Sequence, residues 1–240
     1  MFTIPNFITL LNAIGGCLAL LSIFSGQILW LPWILAGCLL ADFADGLVAR
    51  LLKSSSEIGK QLDSLADVIS FGAVPGAIFY YLINKSLGIT AFVWEQPETY
   101  WGALGFILTA FSALRLAKFN IDTRQTENFV GLNTPATTMF VLGLLLTVEL
   151  DSWGLGSVLL QLPLLFGLIG LFSYLLVSEI PIFSFKLKKL SWKGNEARFI
   201  LLILAVISLI ALPFGIALMA IITIYVLISL YLRFIGKSKI

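Results

Sequence analysis

The chain has no histidine, only two cysteines, and 12% charged residues in 240 positions. Without histidine, every mechanism that uses an imidazole as base, nucleophile or metal ligand is excluded. Cys17 and Cys38 both fall in apolar runs and read as small buried packers, since a free cysteine behaves as a small hydrophobe. The shortage of charge is the more consequential lack. A soluble domain carries about 25% charged residues, and half that supply cannot cover a water-facing surface of this size. A formal net charge of +2 gives no reason to expect a nucleic-acid partner.

What the chain has instead is 59% hydrophobic residues arranged in long runs. The first, Phe7 to Gly26, lacks a basic leader and a small-residue cleavage site, so it reads as a retained span. Others follow at about 28–52, 61–83, 99–119, 130–150 and 156–178. The last, Phe199 to Phe234, is too long for one crossing and is broken by Pro213-Phe214-Gly215, so it reads as two helices. The expectation is an all-α integral membrane protein: a polytopic bundle of about eight transmembrane helices with both termini cytoplasmic. It is read as a single unit over 1–240, with a core at 1–178 and an additional C-terminal helix pair at 198–235.

Charge placement supports that topology. With the N-terminus inside, the cytoplasmic side holds Arg50, Lys53 and Lys60; Arg115, Lys118 and Arg124; the five cations of 186–198; and Arg233, Lys237 and Lys239. Only Lys85 is left outside, as the positive-inside rule requires. Trp30, Trp33, Trp94, Trp101 and Trp153 lie near outer span ends, as an interfacial aromatic belt would.

Within this apolar frame, Asp42 and Asp45 sit in the second run and Asp63 and Asp67 in the third. A carboxylate in a membrane span costs a few kcal/mol or more and marks a functional site by default. Helical spacings of three and four put each pair on one face, and the short loop KSSSEIGK makes the two helices antiparallel neighbours whose aspartates face each other. Four facing carboxylates repel unless cations neutralise them. Oxygen donors alone suit hard ions, Mg²⁺ or Mn²⁺. Two such ions balance four charges and suit phosphoryl substitution. Gly46, Ala49 and Gly59 allow a bulky phosphate-bearing ligand close to the backbone, and Arg50 is placed to bind phosphate oxygens.

Written out, the pattern is Asp42-x-x-Asp45-Gly46-x-x-Ala49-Arg50, eight residues, Gly59-x-x-x-Asp63-x-x-x-Asp67. It resembles the signature of the CDP-alcohol phosphotransferase family at all eight fixed positions. That resemblance implies that Asp42, Asp45, Asp63 and Asp67 hold two divalent ions, with Asp67 also the general base. It implies a CDP-lipid pocket at Gly46, Ala49, Arg50 and Gly59, bordered by Asp42 and Asp63, and a homodimer. IPNFITLLN, ALRLAKFN, GLNTPATT and SEIPIFSFK are similar to the bacterial membrane-integral phosphatidylserine synthases of the family, although Asn133 stands where their form has proline. The implied partners are CDP-diacylglycerol, L-serine and membrane lipid; the implied place is the bacterial cytoplasmic membrane, with the active site facing the cytoplasm.

Serine brings a carboxylate and an ammonium. Arg115, Lys118, Asn120 and Arg124 are the candidates for holding it, Arg115 for the carboxylate. Thr134, Thr137 and Thr138 read as helix-start residues. Glycerol 3-phosphate and inositol phosphate remain alternative acceptors. From another class, a divalent-cation transporter remains, although transporters place their sites near the midplane and these aspartates lie at one membrane face.

Overall fold

In a computed structural model of the chain, the described residues are 3–90, 96–122, 129–183, 192 and 194–235. Among them run eight long helices: α1 (Ile4–Phe24), α2 (Ile28–Leu51), α3 (Glu57–Leu87), α4 (Pro97–Ile121), α5 (Thr134–Glu149), α6 (Leu162–Val177), α7 (Glu196–Ala211) and α8 (Phe214–Phe234). Each coincides with one apolar run. Five of them, α1 to α4 and α8, are long and apolar enough to cross a membrane. The other three have 16 residues each, about 24 Å at the helical rise, short of a ~30 Å hydrocarbon core. The final run does break at proline: α7 stops at Ala211, and Pro213, which has no amide hydrogen, precedes the first residue of α8.

One feature departs from a purely helical fold. A two-residue ribbon pairs β1 (Phe129–Val130) with β2 (Pro181–Ile182), antiparallel, Val130 opposite Pro181. It joins the approach to α5 to the segment that returns after α6. Residues this far apart in sequence leave no periodic signal in so short a pairing.

The bundle is built around α3, the most enclosed of the span-length helices, which packs against α1, α4, α5 and α6. On α1 the polar and small residues Asn6, Thr9, Asn12, Gly16 and Ala19 point inward, while Phe7, Leu11, Ile14, Leu18 and Leu21 point out. This is the pattern of a bundle whose outer solvent is lipid, where close packing of small residues replaces the hydrophobic drive. Gly16 shows the tolerance: a Cβ there would lie 2.8 Å from the Ser70 backbone of α3. Cys38 is buried as expected, but Cys17 is exposed on the outer face of α1, where a small apolar side chain sits equally well against lipid.

The C-terminal pair is locked on by another close approach. A Cβ on Gly143 of α5 would lie 2.5 Å from the Gly215 carbonyl of α8, and one on Gly215 would lie 2.7 Å from the Gly143 carbonyl. Gly143→Leu is therefore expected to force the two backbones apart and destabilise the protein by about 1–3 kcal/mol, read as a lower thermal midpoint in detergent. At the far end of the bundle from the aspartates, Lys85 of α3 pairs with Glu149 of α5 at 2.7 Å. Lys85 is the cation that the positive-inside count leaves on the outer side.

Candidate active site

Ser56 caps α3, its Oγ accepting from the Gly59 amide at 3.0 Å. α1 packs on both α2 and the first turns of α3, which sets the aspartates of α2 and α3 across from one another beside it. Oxygens of Asp42, Asp63 and Asp67 all lie within 4.8 Å of one another. Asp45 is on the same helix one turn on from Asp42 but stands outside that triad, its Oδ2 accepting from Thr9 Oγ1 at 2.5 Å. Asp67 Oδ1 accepts from Asn12 Nδ2 at 3.1 Å. Asp63 Oδ1 is buried with no hydrogen-bond partner among the described residues.

No lysine or arginine among the described residues forms a salt bridge with any of the four. Lys60, the nearest cation in sequence to Asp63, instead donates to the Asn120 backbone carbonyl at 2.8 Å. A buried carboxylate oxygen without a donor beside two further carboxylates is costly as it stands, and an all-oxygen set of this kind suits Mg²⁺ or Mn²⁺. The residues present fit a divalent ion.

Next to the triad opens a cleft of about 250 Å³. Asp45, Gly46, Ala49, Arg50, Gly59 and Asp63 all line it, so the motif positions assigned to a phosphate-bearing ligand share one wall. Asp42 and Asp67 do not line it but meet it through Asp63, with which they form the triad. Gly59 is fixed by crowding, because a Cβ would lie 3.0 Å from Asn6 Oδ1. Pro5, Asn6 and Thr9 of α1 complete the cleft, together with Ser54–Ser56 and Lys60. Sequence reasoning missed these α1 residues. The available signal was the spacing of Asn6, Thr9 and Asn12, three polar side chains on one face of an otherwise apolar run.

Immediately after Asp67, residues Val68–Ala73 leave α-helical register for a π-turn, in which the Val74 amide bonds to Ile69 five residues back. The cause is local: Pro75 has no amide to give the Phe71 carbonyl. Side chains make up the loss. Thr138 Oγ1 donates to Phe71 O at 3.0 Å and Thr109 Oγ1 to Gly72 O at 2.9 Å. Thr138 thus braces the π-turn from inside α5, whose start is capped by Asn133. Asn133 also has a plain reason to be there, since its Oδ1 caps α5 by accepting from the Ala136 amide at 2.9 Å.

The four acceptor candidates separate. Arg115 is buried, with its Nε unpartnered among the described residues and its guanidinium carbon 5.8 Å from the Phe119 ring. Lys118 pairs with Glu179 at 2.5 Å. The Asn120 side chain donates to Ser64 Oγ at 2.9 Å, tying α4 to α3. Arg124 lies outside the described residues.

Residues 2–177 match the family model described as CDP-alcohol phosphatidyltransferase. The chain is 29% identical over 212 residues to a CDP-diacylglycerol–serine O-phosphatidyltransferase of Helicobacter pylori strain J99, covering 88% of this chain and 82% of that protein. It is 32% identical over 192 residues to the Bacillus subtilis protein of the same name, covering 78% and 89%. An archaetidylserine synthase of Methanothermobacter thermautotrophicus is 30% identical over 146 residues, 60% of this chain and 58% of that one. With the family's eight signature residues gathered around one carboxylate triad and cleft, and a family match spanning most of the sequence, this chain belongs to the CDP-alcohol phosphatidyltransferase family.

Proposed function

We propose that the protein transfers the phosphatidyl group of CDP-diacylglycerol to L-serine, releasing CMP. The observation that carries the reading is the meeting of Asp42, Asp63 and Asp67 within 4.8 Å beside a cleft lined by the rest of the motif. The names of all three relatives above carry serine, which favours that acceptor over glycerol 3-phosphate or inositol phosphate. Family membership as a transferase removes the reason to read the aspartates as a transport path.

In this reading Asp42, Asp45, Asp63 and Asp67 hold two divalent ions, Mg²⁺ or Mn²⁺, which supply charge neutralisation at the diphosphate. Arg50 and Lys60, both on the cleft wall, bind phosphate oxygens. Asn12 holds Asp67 by Oδ1, so Oδ2 is the atom that takes the serine hydroxyl proton. The serine oxygen then bonds to the β-phosphorus, the one bearing diacylglycerol, and the bond from that phosphorus to the bridging oxygen breaks, so CMP leaves with the electron pair. Thr9 fixes Asp45 in the same manner from α1. Asn12→Leu should lower kcat by about ten- to a hundredfold, the worth of a hydrogen bond to a charged group, in a serine-dependent CMP-release assay.

The same reading takes the chain to be one unit of eight crossings with cytoplasmic termini, in a bacterial cytoplasmic membrane and as a homodimer. The catalytic end then faces the cytoplasm, where CDP-lipid headgroup and serine meet. The test is CMP release by detergent-purified protein with CDP-diacylglycerol and Mn²⁺ or Mg²⁺. Release that depends on L-serine and stops on chelation supports the proposal. Release with glycerol 3-phosphate or inositol phosphate alone overturns serine as acceptor.

A further inference from the structure

Lys60 stands three residues before Asp63 on α3, a spacing at which a lysine and an aspartate on one helix commonly pair. Its Nζ donates instead to the backbone carbonyl of Asn120 at 2.8 Å. Asn120 lies in the last turn of α4, where carbonyls lack an intrahelical donor and a nearby cation is favoured. A single bond of this kind from an exposed lysine would exchange readily with water. Here it belongs to a closed circuit. The Asn120 side chain donates through Nδ2 to Ser64 Oγ at 2.9 Å and reaches Gln61 Oε1 at 3.5 Å. Ser64 Oγ in turn donates to the Lys60 carbonyl at 3.3 Å, so the contacts return to the residue they started from.

The circuit matters because of where Lys60 is. It lines the cleft beside the carboxylate triad, together with Arg50 from the last turn of α2. Released from α4, the ammonium has an attractor one turn along its own helix, and collapse onto Asp63 would occupy a carboxylate of the triad. Held on Asn120, it keeps its charge at the cleft. An ammonium has three N–H donors, and one spent on the Asn120 carbonyl leaves two for anionic oxygens.

We propose that Asn120 is a positioning residue for the donor lipid: clamped to Ser64, it holds the Lys60 ammonium on the cleft wall, off Asp63 and available to the diphosphate. Asn120 thus serves the site through Lys60 and not as a ligand of serine. The inference rests on the reading in which Lys60 binds phosphate oxygens, and it holds whichever alcohol is the acceptor.

The test is the dissociation constant of CDP-diacylglycerol for the full-length protein in detergent, with Mg²⁺ and no acceptor. This readout does not depend on how much of the sample is folded. Lys60→Ala should bind about tenfold or more weakly, the worth of a hydrogen bond between charged groups. Asn120→Ala and Ser64→Ala break the clamp from opposite sides, and each should bind roughly 3- to 5-fold more weakly. The double variant Lys60→Ala/Asn120→Ala should bind no more weakly than Lys60→Ala, because Asn120 acts only through the missing ammonium. No binding by the wild type, or wild-type affinity in Lys60→Ala, overturns the phosphate role of Lys60 and the inference with it. Wild-type affinity in both clamp variants, with Lys60→Ala impaired, overturns the inference alone. So does a double variant in which the two losses multiply, the result expected of a general loosening of α4 against α3.

Discussion

Asp67→Asn should cut serine-dependent CMP release by about a hundredfold or more, the usual worth of a positioned general base, while the protein still binds CDP-diacylglycerol. Asparagine has the shape of aspartate and keeps an oxygen for the Asn12 amide, which now lies 3.1 Å from Asp67 Oδ1. Arg50, Gly46, Ala49 and Gly59 line the cleft beside it and are untouched. What the variant loses is a group that can accept a proton, together with one metal ligand of the triad. Those two losses separate on titration with Mn²⁺. A ligand defect is overcome by excess metal, whereas loss of the base persists at saturation. Full recovery at high Mn²⁺ would assign Asp67 to the metal alone, and turnover near wild type at ordinary metal would remove it from the chemistry.

The aspartates were legible because charge in an apolar run has no bland explanation, and their spacing needed only helical geometry to converge. The α1 wall was not. Asn6, Thr9 and Asn12 are uncharged, and what makes them part of the site is contact across 36 and 55 residues of sequence, Thr9 to Asp45 and Asn12 to Asp67. Lys118 and Asn120 present the reverse case. Their types and their side of the membrane suited an acceptor carboxylate, yet each is committed to a partner on another element, Glu179 or Ser64. Arg115 has the same composition signal and a different environment, being buried beside Phe119 with Nε unpartnered among the described residues. Residue type names the chemistry available, and only tertiary packing says which copy is spent on holding the bundle. The helices themselves followed from apolar runs and proline breaks, whereas the π-turn after Asp67 needed the threonines of two other helices to sustain it.

The site's electrostatics imply a second large effect, on stability. Among the described residues, three carboxylates meet within 4.8 Å, Asp63 Oδ1 has no donor, and no basic side chain bridges them. In a low-dielectric bundle that repulsion opposes folding until a cation binds. Adding Mg²⁺ or Mn²⁺ at about a hundred times its dissociation constant should therefore stabilise the wild type by about 2.7 kcal/mol, roughly 5–10 °C in thermal midpoint for a chain of this size. Asp63→Asn removes one charge and supplies an amide that can donate to a neighbouring carboxylate. Metal-free, this variant should melt above metal-free wild type; with metal it should gain little, and it should release almost no CMP. Greater stability combined with lost activity is the mark of a strained catalytic cluster. An equal metal-induced shift in both proteins would place the cations elsewhere. A metal-free variant that melts below wild type would show Asp63 to be a structural acceptor whose charge the bundle already satisfies.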